Sequence, residues 1–165
     1  MRDTMCPECG AGATISRKNY RFEQMGIPVD LQQIEVIECP TCGEIPVIPH
    51  MNELMDVIAL GVLCNPCKLR GTEVRFLRKY INKSAREFAH YLHINHTSLS
   101  KYENGQRQLG ASLDKLVRLT IFGMQPKLRA DLTEMMELMP NIKDKCQQKK
   151  IEMQVDPARG TYQYA

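Results

Sequence analysis

Apolar residues recur along this chain with two different periods, and the first period predicts a small sheet. Between residues 19 and 38, Ile27, Val29 and Leu31 alternate with polar residues, and three further apolar side chains follow, Ile34, Val36 and Ile37. A period of two is typical of strands that bury one face. We therefore predict a short antiparallel sheet in the N-terminal part of the chain.

After Pro49 the apolar spacing becomes helical, which predicts an amphipathic helix that ends near Cys64. Its apolar positions are Met51, Leu54, Met55, Ile58, Ala59, Val62 and Leu63. The apolar face of this helix either packs on its own domain or bridges to another domain or a partner helix.

Capping residues mark three more helices. Thr72 is placed to cap the first, and Ser84 with Glu87 forms a capping box for the second. Asn95 caps a short third helix that Gly105 ends. The predicted core positions of these helices are Val74, Leu77 and Ile81, then Phe88, Ala89 and Leu92, then Leu99 and Tyr102.

Two further helices are predicted towards the C-terminus. The fourth covers residues 112–122, with Gly123 as its stop and Leu113, Leu116, Val117 and Ile121 facing inward. The fifth covers residues 126–140, with a Met-rich stripe of Leu128, Leu132, Met135, Met136 and Met139. This stripe either forms a homodimer interface or packs on the helix that Thr72 is predicted to cap.

The polar side of the third helix is suited to reading DNA. A short helix that is capped at Asn95 and stopped at Gly105 fits an element that enters a major groove and ends there. The segment from Arg78 to Gly105 therefore predicts a helix-turn-helix. The side chains that it turns outward are His96, Thr97, Ser98 and Lys101.

The distribution of charge supports this interpretation more than the net charge of +3 does. Residues 1–60 hold four Lys or Arg against nine Asp or Glu, whereas residues 61–130 hold thirteen against four. A basic segment supplies the phosphate neutralisation that DNA binding needs, although a solvated basic surface is the alternative. The expected phosphate contacts are Arg75, Lys79, Lys83 and Arg86. The acidic N-terminal part is expected to meet a basic partner or none.

Six of the seven cysteines form three Cys-x-x-Cys pairs. The first two pairs are each followed by a glycine, and a glycine there lets the backbone turn its amides toward sulfur. We predict that Cys6, Cys9, Cys39 and Cys42 bind one structural Zn²⁺ per chain. The third pair, Cys64 and Cys67, lacks the glycine. However, the number of residues between Cys42 and Cys64 is nearer the common zinc-site spacing than the number between Cys9 and Cys39. The thiols of the third pair are incidental, or form an intersubunit zinc site, or are sensitive to redox conditions.

These features combine into an α+β protein. A small zinc-bound β domain with one helix is expected over residues 1–63, and a linker over 64–71. An all-α, five-helix domain for DNA binding and dimerisation follows over residues 72–140, with a polar tail over 141–165. No apolar run is long enough to span a membrane, and no signal peptide is evident, so we expect a cytoplasmic protein.

Several motifs in combination carry a resemblance to known families. Residues 77–79, Ser84, 87–89, Ile94 and 100–105 resemble the Xre and Cro type of helix-turn-helix. The doubled Cys-x-x-Cys-Gly motif, Glu44 after it, and residues 71–78 are similar to the MqsA (YgiT-type) antitoxins. The resemblance covers about residues 5–125. It implies a structural zinc domain that binds a small basic ribonuclease toxin, and a dimeric C-terminal domain that represses its own operon.

The resemblance also assigns roles to individual residues. Thr97 and Lys101 match base-reading positions, flanked by His96 and Ser98. For Lys101 a guanine contact and a phosphate contact are both open. Arg78 and Glu103 match a buried structural pair.

Two residues of the helix-turn-helix depart from the family pattern. Ala85 replaces a glutamine that helps to clamp phosphate, so Arg86 or Lys83 is expected to take over that contact. His93 occupies the usual glycine of the turn, where a left-handed backbone costs a histidine roughly 1 kcal/mol relative to glycine.

Two functions follow from the resemblance as expectations. The first is a DNA-binding repressor that is the antitoxin of a type II toxin-antitoxin pair. The second is a phage or mobile-element repressor of the same fold without a toxin. We expect no enzymatic activity, since the chain shows no phosphate-binding loop and no open metal triad. The expected nucleic-acid partner is a palindromic double-stranded operator bound by a homodimer.

Overall fold

The computed structural model describes residues 2–24, 26–144, 151–156 and 161–164. It is a mixed α/β protein, with an antiparallel sheet and a four-cysteine cluster in its N-terminal part and six α-helices after them. The chain divides into a sheet unit, residues 1–23, 28–54 and 150–165, and a helical unit, residues 24–27 and 55–149. One of the boundaries between the two units, between residues 54 and 55, falls within the first helix.

The sheet unit is built on two long neighbouring strands. Its first four strands are β1 (Arg2–Met5), β2 (Gly12–Gln24), β3 (Ile27–Cys39) and β4 (Gly43–Val47). Strand β1 pairs with β2, and β4 pairs with the second half of β3, both antiparallel. The predicted strands between the two cysteine pairs are thus present, and they extend beyond residues 19–38.

A local kink in β3 explains why its apolar residues change parity. Val29 and Leu31 are fully buried at odd positions, whereas Val36 is fully buried at an even one. The change falls at Gln33, which has a φ of +54° and whose backbone N–H donates to Asn19 Oδ1 at 3.1 Å. One extra residue at such a kink moves every later side chain to the other face. The kink therefore keeps the apolar residues of both halves in one core.

The C-terminal segment completes the sheet, which corrects the expectation of a polar tail over 141–165. Strands β5 (Ile151–Asp156) and β6 (Thr161–Tyr164) pair antiparallel with each other, and β5 runs parallel to Val29–Gln32 of β3. Met153 and Tyr162 are buried. The sequence evidence for β5 is the alternation of apolar residues from Ile151 onward. This alternation is too short to distinguish a strand from an irregular polar segment.

The helices follow the predicted order. They are α1 (Met51–Leu63), α2 (Gly71–Tyr80), α3 (Ala85–Tyr91), α4 (His96–Glu103), α5 (Ala111–Met124) and α6 (Leu132–Leu138). The predicted α1 and its end near Cys64 are confirmed. The predicted cap Thr72 is wrong: α2 starts at Gly71 and its N-cap is Arg70, whose N–H donates to Glu73 Oε2 at 2.7 Å. Among the residues described, no helix is both long and apolar enough to cross a membrane.

The capping predictions for α3 and α4 are confirmed. Ser84 N–H donates to Glu87 Oε2 at 2.9 Å, and Glu87 N–H donates back to Ser84 Oγ at 3.2 Å. Asn95 Oδ1 accepts from Thr97 N–H at 2.8 Å. These caps fix where both helices begin, because each side chain satisfies an amide that has no partner within its helix.

The predictions for the last two helices need correction. Gly123 lies inside α5 and does not stop it, and Leu116 is exposed rather than inward-facing. Residues 126–140 form a 3₁₀ turn, α6 and the start of a second 3₁₀ turn instead of one helix. The Met-rich stripe is divided: the helical unit buries Leu128, Met135 and Met139, whereas Leu132 and Met136 are exposed.

The predicted linker over 64–71 is fixed to α5 by a buried arginine. Arg118 is fully buried and donates to three backbone carbonyls, those of Leu63, Asn65 and Cys67. Its charge is balanced by Asp114 at 2.9 Å, whose other oxygen accepts from Leu69 N–H at 2.7 Å. A sequence pattern counts these two polar residues as solvent-facing, so periodicity could not reveal that they hold the segment in place.

Candidate metal centre and nucleic-acid interface

Two turns of the sheet unit bring four cysteines together. The Sγ atoms of Cys6, Cys9, Cys39 and Cys42 all lie within 4.8 Å of one another. Cys6 and Cys39 are buried, while Cys9 and Cys42 are exposed. These are the four cysteines that the Cys-x-x-Cys-Gly motif favoured over the third pair.

The glycine after each pair has the conformation that the motif predicts. Gly10 has a φ of +70° and Gly43 a φ of +83°, values that cost glycine little and other residues more. The second turn directs the backbone N–H groups of Thr41 and Cys42 at Cys39 Sγ, each at 3.4 Å. The local sequence therefore builds a pocket of sulfur atoms supported by amide donors.

The four thiols cannot all ionise on their own. The N–H groups of Cys42 and Thr41 outweigh burial and lower the pKa of the Cys39 thiol to about 6. The neighbouring Cys9 thiol and burial raise the pKa of Cys42 to about 12. Like charges this close disfavour each other, so further thiolates need a cation among them.

The sulfur positions fit a tetrahedral metal ion. Metal–sulfur bonds of about 2.3 Å place the sulfurs of a tetrahedral site about 3.8 Å apart. Cys9 Sγ and Cys39 Sγ are 3.6 Å apart. Four sulfur ligands leave no open position for a water, so the arrangement is that of a structural site.

The third cysteine pair does not act as a second such site. Cys67 belongs to a disulfide bond, whereas Cys64 keeps a half-buried thiol. Within the described part of the chain, the four-cysteine cluster is the one group of three or more His, Cys, Asp or Glu residues with metal-binding spacing.

Helix α4 places the predicted base-reading residues at the surface. His96, Thr97 and Lys101 are exposed and Ser98 is half-buried, while Leu99 and Tyr102 lie in the core. Thr97 and Lys101 are four residues apart and so share one face of the helix. His93 in the preceding turn has a φ of +51°, the left-handed conformation predicted there.

An ion pair between half-buried Arg78 and buried Glu103 holds the end of α4 against α2. Arg78 Nε donates to Glu103 Oε1 at 2.6 Å and Arg78 Nη2 to Glu103 Oε2 at 2.9 Å. Arg78 also donates to the Lys83 carbonyl at 3.0 Å, and Glu103 raises the pKa of the arginine. The structure thus contains the pair that the resemblance implied. Bidentate contacts of this kind fix orientation as well as distance.

The predicted phosphate-binding cations differ in how they are engaged. Arg75 lies 3.5 Å from Glu103, and Lys83 lies 3.6 Å from Glu87. Lys79, Arg86 and Lys101 are exposed, and none of the carboxylates that the structure describes is within ion-pair distance of them. Their side chains are therefore accessible to an external anion.

Helix α2 approaches the end of α4 at a residue that must be small. A Cβ built on Gly71 would lie 2.2 Å from the Tyr102 carbonyl oxygen and 2.8 Å from that of Glu103. Gly71 was predicted to end a linker, and no sequence pattern indicates this contact.

No protein-family model matches the chain, and no curated protein matches it.

The main residues that sequence reasoning missed are Asp114 and Arg118 in the core and three cations that border a cavity near Gly105: Lys68, Arg70 and Arg107. Only the basic character of residues 61–130 pointed to the second group.

Proposed function

We propose that this protein is a sequence-specific DNA-binding repressor that reads its operator with α4. The observation that carries the proposal is the exposed face of Thr97 and Lys101 on a short capped helix. The Arg78–Glu103 pair supports it, because a reading helix must be held rigidly. The exposed charges of Lys79 and Arg86 suit phosphate contacts beside that helix.

Selection from randomised duplexes, followed by fluorescence anisotropy, tests this proposal. Lys101→Ala should weaken binding of the selected duplex about tenfold and relax the choice of base at one position, as loss of a base contact does. Lys79→Ala should weaken all duplexes evenly and lower the salt slope by about 1. Lys115→Ala on α5, outside the helix-turn-helix, is the matched control. If Lys101→Ala changes neither affinity nor preference, α4 is not the reading helix.

We propose Zn²⁺ as the metal of the four-cysteine centre, with one ion per chain. The sulfur-only donor set and its tetrahedral spacing favour zinc in a structural role. Metal analysis of the full chain should find one equivalent, lost in Cys39→Ser and kept in Cys64→Ser. Two equivalents per chain, or retention of the metal in Cys39→Ser, would refute the assignment.

The biological role that we propose is the antitoxin of a type II pair that represses its own operon, in keeping with the resemblance to the MqsA antitoxins. The acidic balance of residues 1–60 suits a basic toxin. A neighbouring reading frame for a basic protein of about 100 residues, one that copurifies with this chain, would support this role. Absence of such a frame favours the second candidate, a phage or mobile-element repressor with the same DNA-binding residues.

We also propose that the protein binds DNA as a homodimer. The exposed apolar residues Leu116 and Leu119 on α5 and Leu132 and Met136 on α6 provide a surface for a second copy. This surface replaces the undivided Met-rich stripe of the sequence prediction. Leu119→Lys should shift the sedimentation of the protein toward the monomer. The wild type should protect two half-sites about 34–36 Å apart, or a multiple of this distance. A wild-type monomer on DNA contradicts the proposal.

A further inference from the structure

A basic cavity lies in the helical unit, beyond the C-terminal end of α4. Its volume is about 240 Å³, and it opens between segment 68–71, which leads into α2, and segment 105–109, which follows α4. The charged side chains on its wall are Lys68, Arg70, Arg107 and Asp144. The wall carries three cations and one carboxylate, and Glu73 is a further partner of Arg70, so a positive charge remains that attracts an anion.

Arg107 has the donors that such an anion requires. Its guanidinium stacks over the Tyr102 ring, with its central carbon 5.4 Å from the ring centroid. Stacking orients the plane of the guanidinium and leaves the N–H groups at its edge available. Across the described residues, no carboxylate lies within ion-pair distance of Arg107.

The other two cations have carboxylate partners of different kinds. Lys68 Nζ lies 2.5 Å from Asp144 Oδ1, and the Asp144 side chain is 80% exposed. An ion pair in contact with water contributes little, so an anion with two negative charges can replace Asp144. Arg70 Nη2 lies 2.9 Å from Glu73 Oε1; Glu73 is buried and keeps its place, while the Arg70 side chain is 46% exposed, so an anion can only share this arginine.

The size of the cavity limits the anion. Pockets that bury a drug-sized ligand measure about 300–1,000 Å³, so this one holds a small ion or one group of a larger molecule. A planar guanidinium beside a lysine matches the oxygens of a phosphate. We propose that this cavity is a phosphate-binding site, with Arg107 as a bidentate donor and Lys68 and Arg70 beside it.

Two sources share this chemistry: a backbone phosphate of bound DNA, and a free phosphate ion or phosphomonoester. The first source rests on the proposed DNA-binding function, and the second does not. Each source therefore has its own measurement.

The free ligand is tested with inorganic phosphate. The full chain, labelled with ¹⁵N, is titrated with sodium phosphate against sodium chloride at equal ionic strength. We expect saturable shifts of the Gly71 and Gly105 amide signals in the wild type. Binding should be at least tenfold weaker in Arg107→Gln and unchanged in Lys115→Gln, which alters a lysine outside the cavity wall. Shifts that do not saturate, or that persist in Arg107→Gln, exclude a free phosphate ligand.

The DNA source is tested by fluorescence anisotropy with a labelled duplex over a range of salt concentrations. One lost phosphate contact should weaken binding about fivefold to tenfold near 0.1 M salt and lower the salt slope by about 1. Arg107→Gln should show this effect on all sequences alike. An affinity and a slope equal to those of the wild type exclude a DNA phosphate.

A positive result in either measurement identifies the source of the phosphate, and negative results in both refute the proposed site. If Lys101→Ala relaxes sequence preference while Arg107→Gln affects neither measurement, this inference alone fails. If the wild type binds no duplex, the proposed function fails and the phosphate titration still decides the cavity. Lys68→Gln leaves the stacking of Arg107 on Tyr102 in place and should weaken phosphate binding several-fold. This variant therefore distinguishes loss of the site from loss of the fold.

Discussion

Replacing Gly71 with alanine should disrupt the packing that holds α4 in place. The new Cβ would lie 2.2 Å from the Tyr102 carbonyl oxygen, whereas carbon and oxygen in contact are about 3.3 Å apart. The backbone of α2 or of α4 must therefore move by about 1 Å. The three atoms nearest to the new Cβ belong to the backbone of Tyr102 and Glu103, so no flexible side chain can move aside to relieve the clash.

The expected cost is at the upper end of what overpacking produces. Inserting a methyl group into a packed interior typically costs 1–3 kcal/mol, and we expect about 3 kcal/mol of unfolding free energy here. For a domain of about 100 residues, this corresponds to a fall of roughly 10–15 °C in melting temperature. Since Glu103 must also stay in register with Arg78, DNA affinity should fall with stability.

Gly123→Ala is the matched control, because it makes the same chemical change in open space. No atom lies within 4 Å of a Cβ built on Gly123, which is inside α5. Alanine is favoured over glycine in a helix by about 0.5–1 kcal/mol, so this variant should melt slightly higher than the wild type. Circular dichroism at the helical band, recorded against temperature, compares the two. Equal melting temperatures for Gly71→Ala and Gly123→Ala would refute the reasoning.

Three more predictions follow from the contacts. Arg118→Met should cost about 3–5 kcal/mol in denaturant unfolding, because Asp114 is left buried without its cation; Asp114→Leu in the same chain should recover part of this, and no recovery would contradict the explanation. The Ser84 hydroxyl and N–H lower the pKa of Glu87, so its stabilising effect should be present above about pH 4.3 and disappear as the pH falls through the lower folded-state value. Thermal melts of Glu87→Gln and wild type should therefore differ near neutral pH and converge in acid; a constant difference would assign the effect to something other than charge. Ending the chain at residue 144 removes β5 and β6 and leaves Val29–Gln32 unpaired on that edge; this variant should aggregate and bind less metal, and a monomer with one metal equivalent would show that the two strands are dispensable.

The features that the sequence predicted well are local ones. The caps at Ser84 and Asn95 and the turns at Gly10 and Gly43 depend on residues a few positions apart, so a short pattern contains the reason for each. The grouping of the four cysteines was predictable for the same reason, because the glycine after each pair is part of the motif.

The features that the sequence missed depend on partners far along the chain. Arg118 and Asp114 look like exposed residues of an amphipathic helix, and only the carbonyls of segment 63–67 explain their burial. The strand from Ile151 has only a few alternating residues, and its partner on β3 lies more than a hundred positions away. Periodicity describes one element at a time, so it contains no information about either contact.

The parallel pairing of β3 with β5 has a consequence for how the protein is made. Val29 is paired with Ile151 and β5 with β6, so the sheet unit is not complete until residue 164 has been synthesised. Contacts this distant are slow to form, and the β3 edge stays open to other strands meanwhile. The helical unit, in contrast, has residues 24–27 and then the continuous stretch 55–149, so it can fold earlier. During translation the half that is expected to meet DNA would therefore mature before the half that is expected to hold metal.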